Sequence, residues 1–178
     1  MNIAAQAPVQ ADQTIYLKDY QKPAFLVESI HLDIQVYDDH TIVDSTLVMK
    51  RQAAGELVLL GRDLELQSIQ MNGQLLNADQ YQLDSEQLVI TDAPDQVIVQ
   101  TKVVIHPESN TQLEGLYKAG DLFVTQNEPE GFRKITFYPD RPDVLAEFTT
   151  RVEADKKYPV LLANGNLLET GEVGEGRH

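Results

Sequence analysis

From Ile30 onward the chain alternates: Ile30, Leu32, Ile34 and Val36 are apolar, while His31, Asp33, Gln35 and Tyr37 between them carry polar atoms. A period of two marks a strand with one face on a core and the other in water; a helix would scatter the same apolar residues around its surface. Asp38-Asp39-His40 then turns the chain, and Val43, Ser45, Leu47 and Met49 alternate with Asp44, Thr46 and Lys50, so this stretch reads as a β-hairpin. The same grammar continues through strands at Leu57–Leu60, Leu64–Met71, Tyr81–Leu83, Leu88–Ile90 and Val97–Ile105. Asn72-Gly73 supplies the two residues with positive φ that a tight type I′ turn needs. Asp92–Asp95 and His106–Asn110 have the chemistry of loops. Short strands separated by such turns predict a mainly β fold, an antiparallel sandwich or curved sheet. Pro142–Phe148 alone reads as a short helix, with proline where a helix can begin and Asp140 before it as a cap. Residues 1–13 are rich in Ala and Gln and lack a pattern; they read as a flexible leader ahead of a single β domain over 14–178.

Composition narrows what such a domain can do. Fourteen Lys and Arg face twenty-eight Asp and Glu, a net charge of −14. That sign argues against nucleic acid, whose binders neutralise phosphates with clustered basic residues, and against anionic membrane surfaces. The absence of cysteine excludes disulfides, thiolate metal sites and thiol nucleophiles. Apolar runs such as Leu57–Leu60 are too short to span a bilayer, and the first residues lack the basic and apolar regions of a signal peptide, so a cytoplasmic location is expected.

Residues that carry chemistry are sparse. His31, His40, His106 and His178 show no helical metal-ligand spacing, and His-Glu-x-x-His is absent, so no metal site is expected. No Gly-x-Ser-x-Gly elbow presents a nucleophile. The glycines between Gly171 and Gly176 alternate with glutamates, which repel phosphate. Two acidic pairs, Glu128/Glu130 and Asp140/Asp143, have the makings of a glycosidase dyad, but close pairs arise by chance in so acidic a chain, and no tryptophan offers a sugar platform. Read alone, these residues describe a β domain without catalytic machinery of its own.

The stretch from Gly115 to Asn166 is more distinctive. It contains Gly115-Leu116-Tyr117, then Thr125-Gln126-Asn127-Glu128-Pro129-Glu130-Gly131-Phe132-Arg133, then Asp140-Arg141-Pro142-Asp143-Val144-Leu145-Ala146-Glu147-Phe148, and Asn164-Gly165-Asn166. This series resembles the N-terminal domain of the aminopeptidase N (alanyl aminopeptidase) family of zinc metallopeptidases, its bacterial branch in particular. The likeness runs from about Tyr16 to the end and is most specific after Gly115.

The resemblance implies an all-β saddle that packs on a downstream catalytic domain of the same chain. One saddle loop reaches the active site in this family. Glu128 is similar to the glutamate that grips the free α-amino group of a peptide substrate, and Gln126 to the glutamine lining the pocket for the first side chain. Arg141 and Asp143 are read instead as an ion-paired turn, and Asn164-Gly165 as a turn. The family's zinc motif, its distal glutamate ligand, its Gly-x-Met-Glu-Asn segment and its catalytic tyrosine lie beyond the region covered here. The expectation is therefore a fragment that binds no zinc and hydrolyses nothing alone, its zinc and catalytic residues residing in the downstream domain. A non-catalytic β scaffold, from a relative that lost peptidase activity, is the alternative. An independent β-sandwich binding module fits less well, because the matching residues form one loop rather than a ligand face.

Overall fold

The computed structural model describes residues 16–178; the leader expected over 1–13 lies outside them. In chain order the strands are β1 (Phe25–Val36), β2 (Thr41–Arg51), β3 (Leu57–Leu60), β4 (Glu65–Met71), β5 (Gln74–Leu75), β6 (Gln82–Leu83), β7 (Gln87–Ile90), β8 (Gln96–Ile105), β9 (Gly115–Ala119), β10 (Leu122–Gln126) and β11 (Glu147–Glu153). Short 3-10 turns occupy Leu17–Asp19 and Phe132–Lys134. The strands form a six-stranded sheet in the order β11-β1-β2-β8-β4-β5, a three-stranded sheet β3-β7-β6 and a β9-β10 ribbon.

The alternation predicted from sequence sets which face is buried. Val43, Leu47 and Met49 of β2 and Val97, Val99, Val103 and Ile105 of β8 point inward, and Leu57, Leu59, Leu88 and Ile90 of the smaller sheet join them in one hydrophobic cluster. Each such side chain removed from water contributes roughly 1.5–3 kcal/mol before the entropy of ordering it is set against this. Two bulges let strands change parity and keep their apolar residues inside. In β1 the inward set passes from Phe25 and Val27 to Ile30 and Leu32 across a register shift at Glu28. In β4 a shift at Gln67 passes it from Leu66 to Ile69. Asn72 and Gly73, at φ +52° and +78°, make the tight turn between β4 and β5.

The mainly β, antiparallel fold expected from the sequence is present, with one parallel edge: β11 pairs parallel to β1, Ser29 with Glu147 through Gln35 with Glu153. The short helix expected at Pro142–Phe148 is absent. One bond, from the Val144 amide to the Arg141 carbonyl, closes a single turn, after which the chain extends into β11. Asp140 does not cap this turn, because its carboxylate accepts the Arg133 backbone N–H and guanidinium instead. Val144 and Ala146 reach the core while Leu145 between them is 84% exposed, a period of two that suits extended chain rather than a helix. The ion pair expected in this turn is present, with Arg141 donating to both oxygens of Asp143 at 2.8 and 2.7 Å.

Candidate functional site

The ribbon of β9 and β10 delivers the candidate loop. Gln126 is the last residue of β10 and pairs with Gly115, the first of β9. Asn127–Glu130 then reverse the chain, closed by the Gly131 amide donating to the Asn127 carbonyl at 3.0 Å, and the 3-10 turn at Phe132–Lys134 returns it to the core. Both Glu128 and Gln126 are exposed. The Glu128–Pro129 peptide bond is cis. Gln126 Nε2 donates to the backbone carbonyl of Glu128 at 2.8 Å. The Glu128 carboxylate has no hydrogen-bonding or ion-pair partner among the described residues, whereas its neighbour Glu130 faces Arg133, Oε2 to Nη1 at 3.4 Å.

What holds this loop is a base of buried charge. The Arg133 guanidinium donates from Nε to Asp140 Oδ2 at 3.1 Å and from Nη2 to the Asp140 carbonyl at 2.9 Å, and the Arg133 amide adds a third bond to Oδ2. Lys134, its side chain only 4% exposed, donates to Asp63 at 2.8 Å and to the Gln112 side-chain oxygen. Long basic side chains are buried only when their donors are satisfied, and both are. Behind them Leu60 and Tyr138 exchange two backbone bonds, at 2.8 and 3.0 Å, fastening the segment to β3. Tyr138 sits edge-on to Phe132, 5.0 Å between ring centres, and burial pushes its phenol up to about 12. The sequence sets Arg133 and Lys134 among acids, as ion pairs require, but carries no signal that both are buried.

A polar cavity of about 300 Å³ lies beside Lys134, lined among others by Asp63, Glu65, His106, Ser109 and Gln112. Neither Gln126 nor Glu128 reaches it. His106 has an acceptor on each ring nitrogen, the Asp39 carbonyl at 3.1 Å from Nδ1 and Glu65 Oε1 at 3.0 Å from Nε2. Those contacts, the Asp39 carbonyl foremost, hold the imidazole above its ordinary value of 6.5. His31, His40 and His178 take no part in a shared site, and no cluster of three or more His, Asp or Glu able to hold a metal occurs among the described residues. The donor set for a zinc ion is therefore not present in them. Among the described residues no helix is long and apolar enough to cross a membrane.

Comparison with known proteins supports the likeness read from the sequence. The family model for the Peptidase M1 N-terminal domain matches residues 18–178. Aminopeptidase N of Caulobacter vibrioides is 44% identical over 168 residues, which cover 93% of this chain and 20% of that protein. Aminopeptidase N of Escherichia coli is 42% identical over 172 residues, covering 95% and 20%. Among solved structures, Legionella pneumophila aminopeptidase A in complex with aspartic acid superposes with a TM-score of 0.85 at 32% identity, covering 91% of this chain and 20% of that one. The chain thus spans about one fifth of the length of the curated relatives it matches. With its fold and nearly all of its described length accounted for, the chain belongs to the Peptidase M1 N-terminal domain family.

Proposed function

We propose that this domain is the substrate-gripping part of a zinc-dependent aminopeptidase, an enzyme that removes N-terminal residues from peptides, and that it is not catalytic by itself. In this reading Glu128 anchors the substrate's free α-amino group, Gln126 forms part of the wall around the first side chain, and the domain works packed on a downstream catalytic domain of the same chain. Zinc belongs to that domain; none of the described residues here forms a site for it.

The observation that carries the proposal is the unpaired Glu128 carboxylate on a loop built from otherwise satisfied charge. An exopeptidase must tell a chain end from a chain interior, and the mark of the end is an ammonium. A carboxylate about 4 Å from that cation gains on the order of 4 kcal/mol at an effective dielectric near 20. Holding the amine also fixes the first peptide carbonyl at a set distance from the reacting groups. The Gln126 amide, by donating to the Glu128 carbonyl, stiffens the loop from within and leaves its own Oε1 for a ligand. Kinetics of the full-length protein test this. Glu128→Gln keeps the side-chain shape and removes the charge, and it should raise KM for substrates with a free α-amine; an unchanged KM contradicts the amine anchor.

A further inference from the structure

We infer that Arg133 is a positioning residue for Glu128, acting through Glu130. This rests on the reading of Glu128 as the amine anchor and adds what keeps that anchor in place. Three restraints converge on the loop: the Gln126 amide on the Glu128 carbonyl, the Gly131 amide on the Asn127 carbonyl, and the Arg133 guanidinium on Glu130. Only the third ties the loop through side chains to the domain core. Arg133 can do this because it is itself immobilised: its side chain is 10% exposed and Asp140 takes three of its hydrogen bonds. A guanidinium offers a planar fork of donors, so one edge can hold Asp140 while Nη1 faces Glu130.

The arrangement also separates two carboxylates that lie two residues apart. Glu130, at φ +65°, turns its side chain to Arg133, and Glu128 is left as the unpaired acid of the loop. A released Glu130 would compete with Glu128 for the substrate ammonium or carry the loop with it. The Glu130–Arg133 contact is 67% exposed on the Glu130 side, so its worth lies in geometry rather than in fold stability.

The test is a double-mutant cycle in the full-length protein, read as KM and kcat on a substrate with a free α-amine. Glu130→Gln is expected to raise KM about threefold with kcat within about twofold, a size in keeping with one exposed ion pair. Arg133→Gln should raise KM at least as much, and the double variant should be no worse than Arg133→Gln, because both substitutions cut the same tie. Effects that multiply in the double variant, or an unchanged KM for Glu130→Gln, overturn the inference and leave Arg133 a purely structural residue. If Arg133→Gln fails to fold, the exposed Glu130→Gln decides alone. Glu128→Ala, measured alongside, separates the two readings. A large loss there with no shift in Glu130→Gln removes only the positioning role, whereas no loss removes the amine anchor itself.

Discussion

Gly131 packs against Gly115 so closely that a Cβ on Gly131 would stand 3.0 Å from the Gly115 backbone nitrogen. The same Cβ would lie 2.8 Å from Asn127 Cα and overlap the carbonyl oxygen of Gln126. Gly131 has φ −82°, which any residue adopts, so its glycine is required by space and not by backbone conformation. The contact seats the Gln126–Glu130 loop on the start of β9.

Gly131→Ala should therefore push the loop off its seat. The expected cost is about 1–3 kcal/mol, the range for overpacking a close contact, or roughly 2–10 °C in Tm for a domain of this size. Gly73→Ala is the control, since nothing lies within 4 Å of its Cβ position and only its φ of +78° opposes the change. Thermal unfolding of both variants checks this: the account expects Gly131→Ala to be the more damaging and to raise KM in the full-length protein, which Gly73→Ala should not.

His106 makes stability depend on pH near neutrality. Its pKa is raised in the folded state, so its contribution is fully present below the unfolded value near 6.5 and is lost as pH rises through the higher folded value. Unfolding titrations between pH 5 and 9, run on the parent and on His106→Gln, should show the parent losing more stability across that window. Proton NMR of the imidazole should place its pKa above 6.5.

At acid pH the end of β11 takes over. Arg177, and then Arg151, hold the Glu153 carboxyl below its ordinary 4.5; the bonds are 2.6 and 2.7 Å. For a lowered pKa the contribution is present above the unfolded value and disappears as pH falls through the folded one. Glu153→Gln should lower Tm at pH 7 and flatten the acid limb of the stability profile. Equal acid limbs in parent and variant would show that the pair contributes nothing.

Ser45 and Thr101 face each other across β2 and β8 on the buried side of the sheet, and neither hydroxyl has a partner among the described residues. An unsatisfied buried hydroxyl costs about 1–3 kcal/mol, whereas an apolar group of the same shape does not. Thr101→Val is nearly isosteric and should leave Tm unchanged or raise it. A fall in Tm would mean that the hydroxyl is satisfied in solution.

The contrast between what the sequence disclosed and what it hid follows from the range of the interactions. The β1–β2 hairpin and β8 were readable because alternation is a local signal and burial on one face enforces it, and β3 and β7 because each is a short apolar run between turn residues. Residues 142–148 misread as a helix because Pro142 and Asp140 satisfy local rules, while the decisive pairing of β11 with β1 joins residues more than a hundred positions apart. The β9–β10 ribbon carries its exposed residues irregularly, so period two does not reveal it. At the site, Glu128 and Gln126 were legible only through family likeness. The burial of Arg133 and Lys134 was not legible, since it depends on Asp140 and Asp63 arriving from other segments.

The most direct test of the central claim is kcat/KM of the full-length protein carrying Glu128→Ala, on a peptide substrate with a free α-amine. Loss of a charge-assisted contact of about 3 kcal/mol predicts a fall of roughly 10²-fold. Activity within about threefold of the parent would mean that the ammonium is held elsewhere, since a lost contact of that strength cannot leave so small a change.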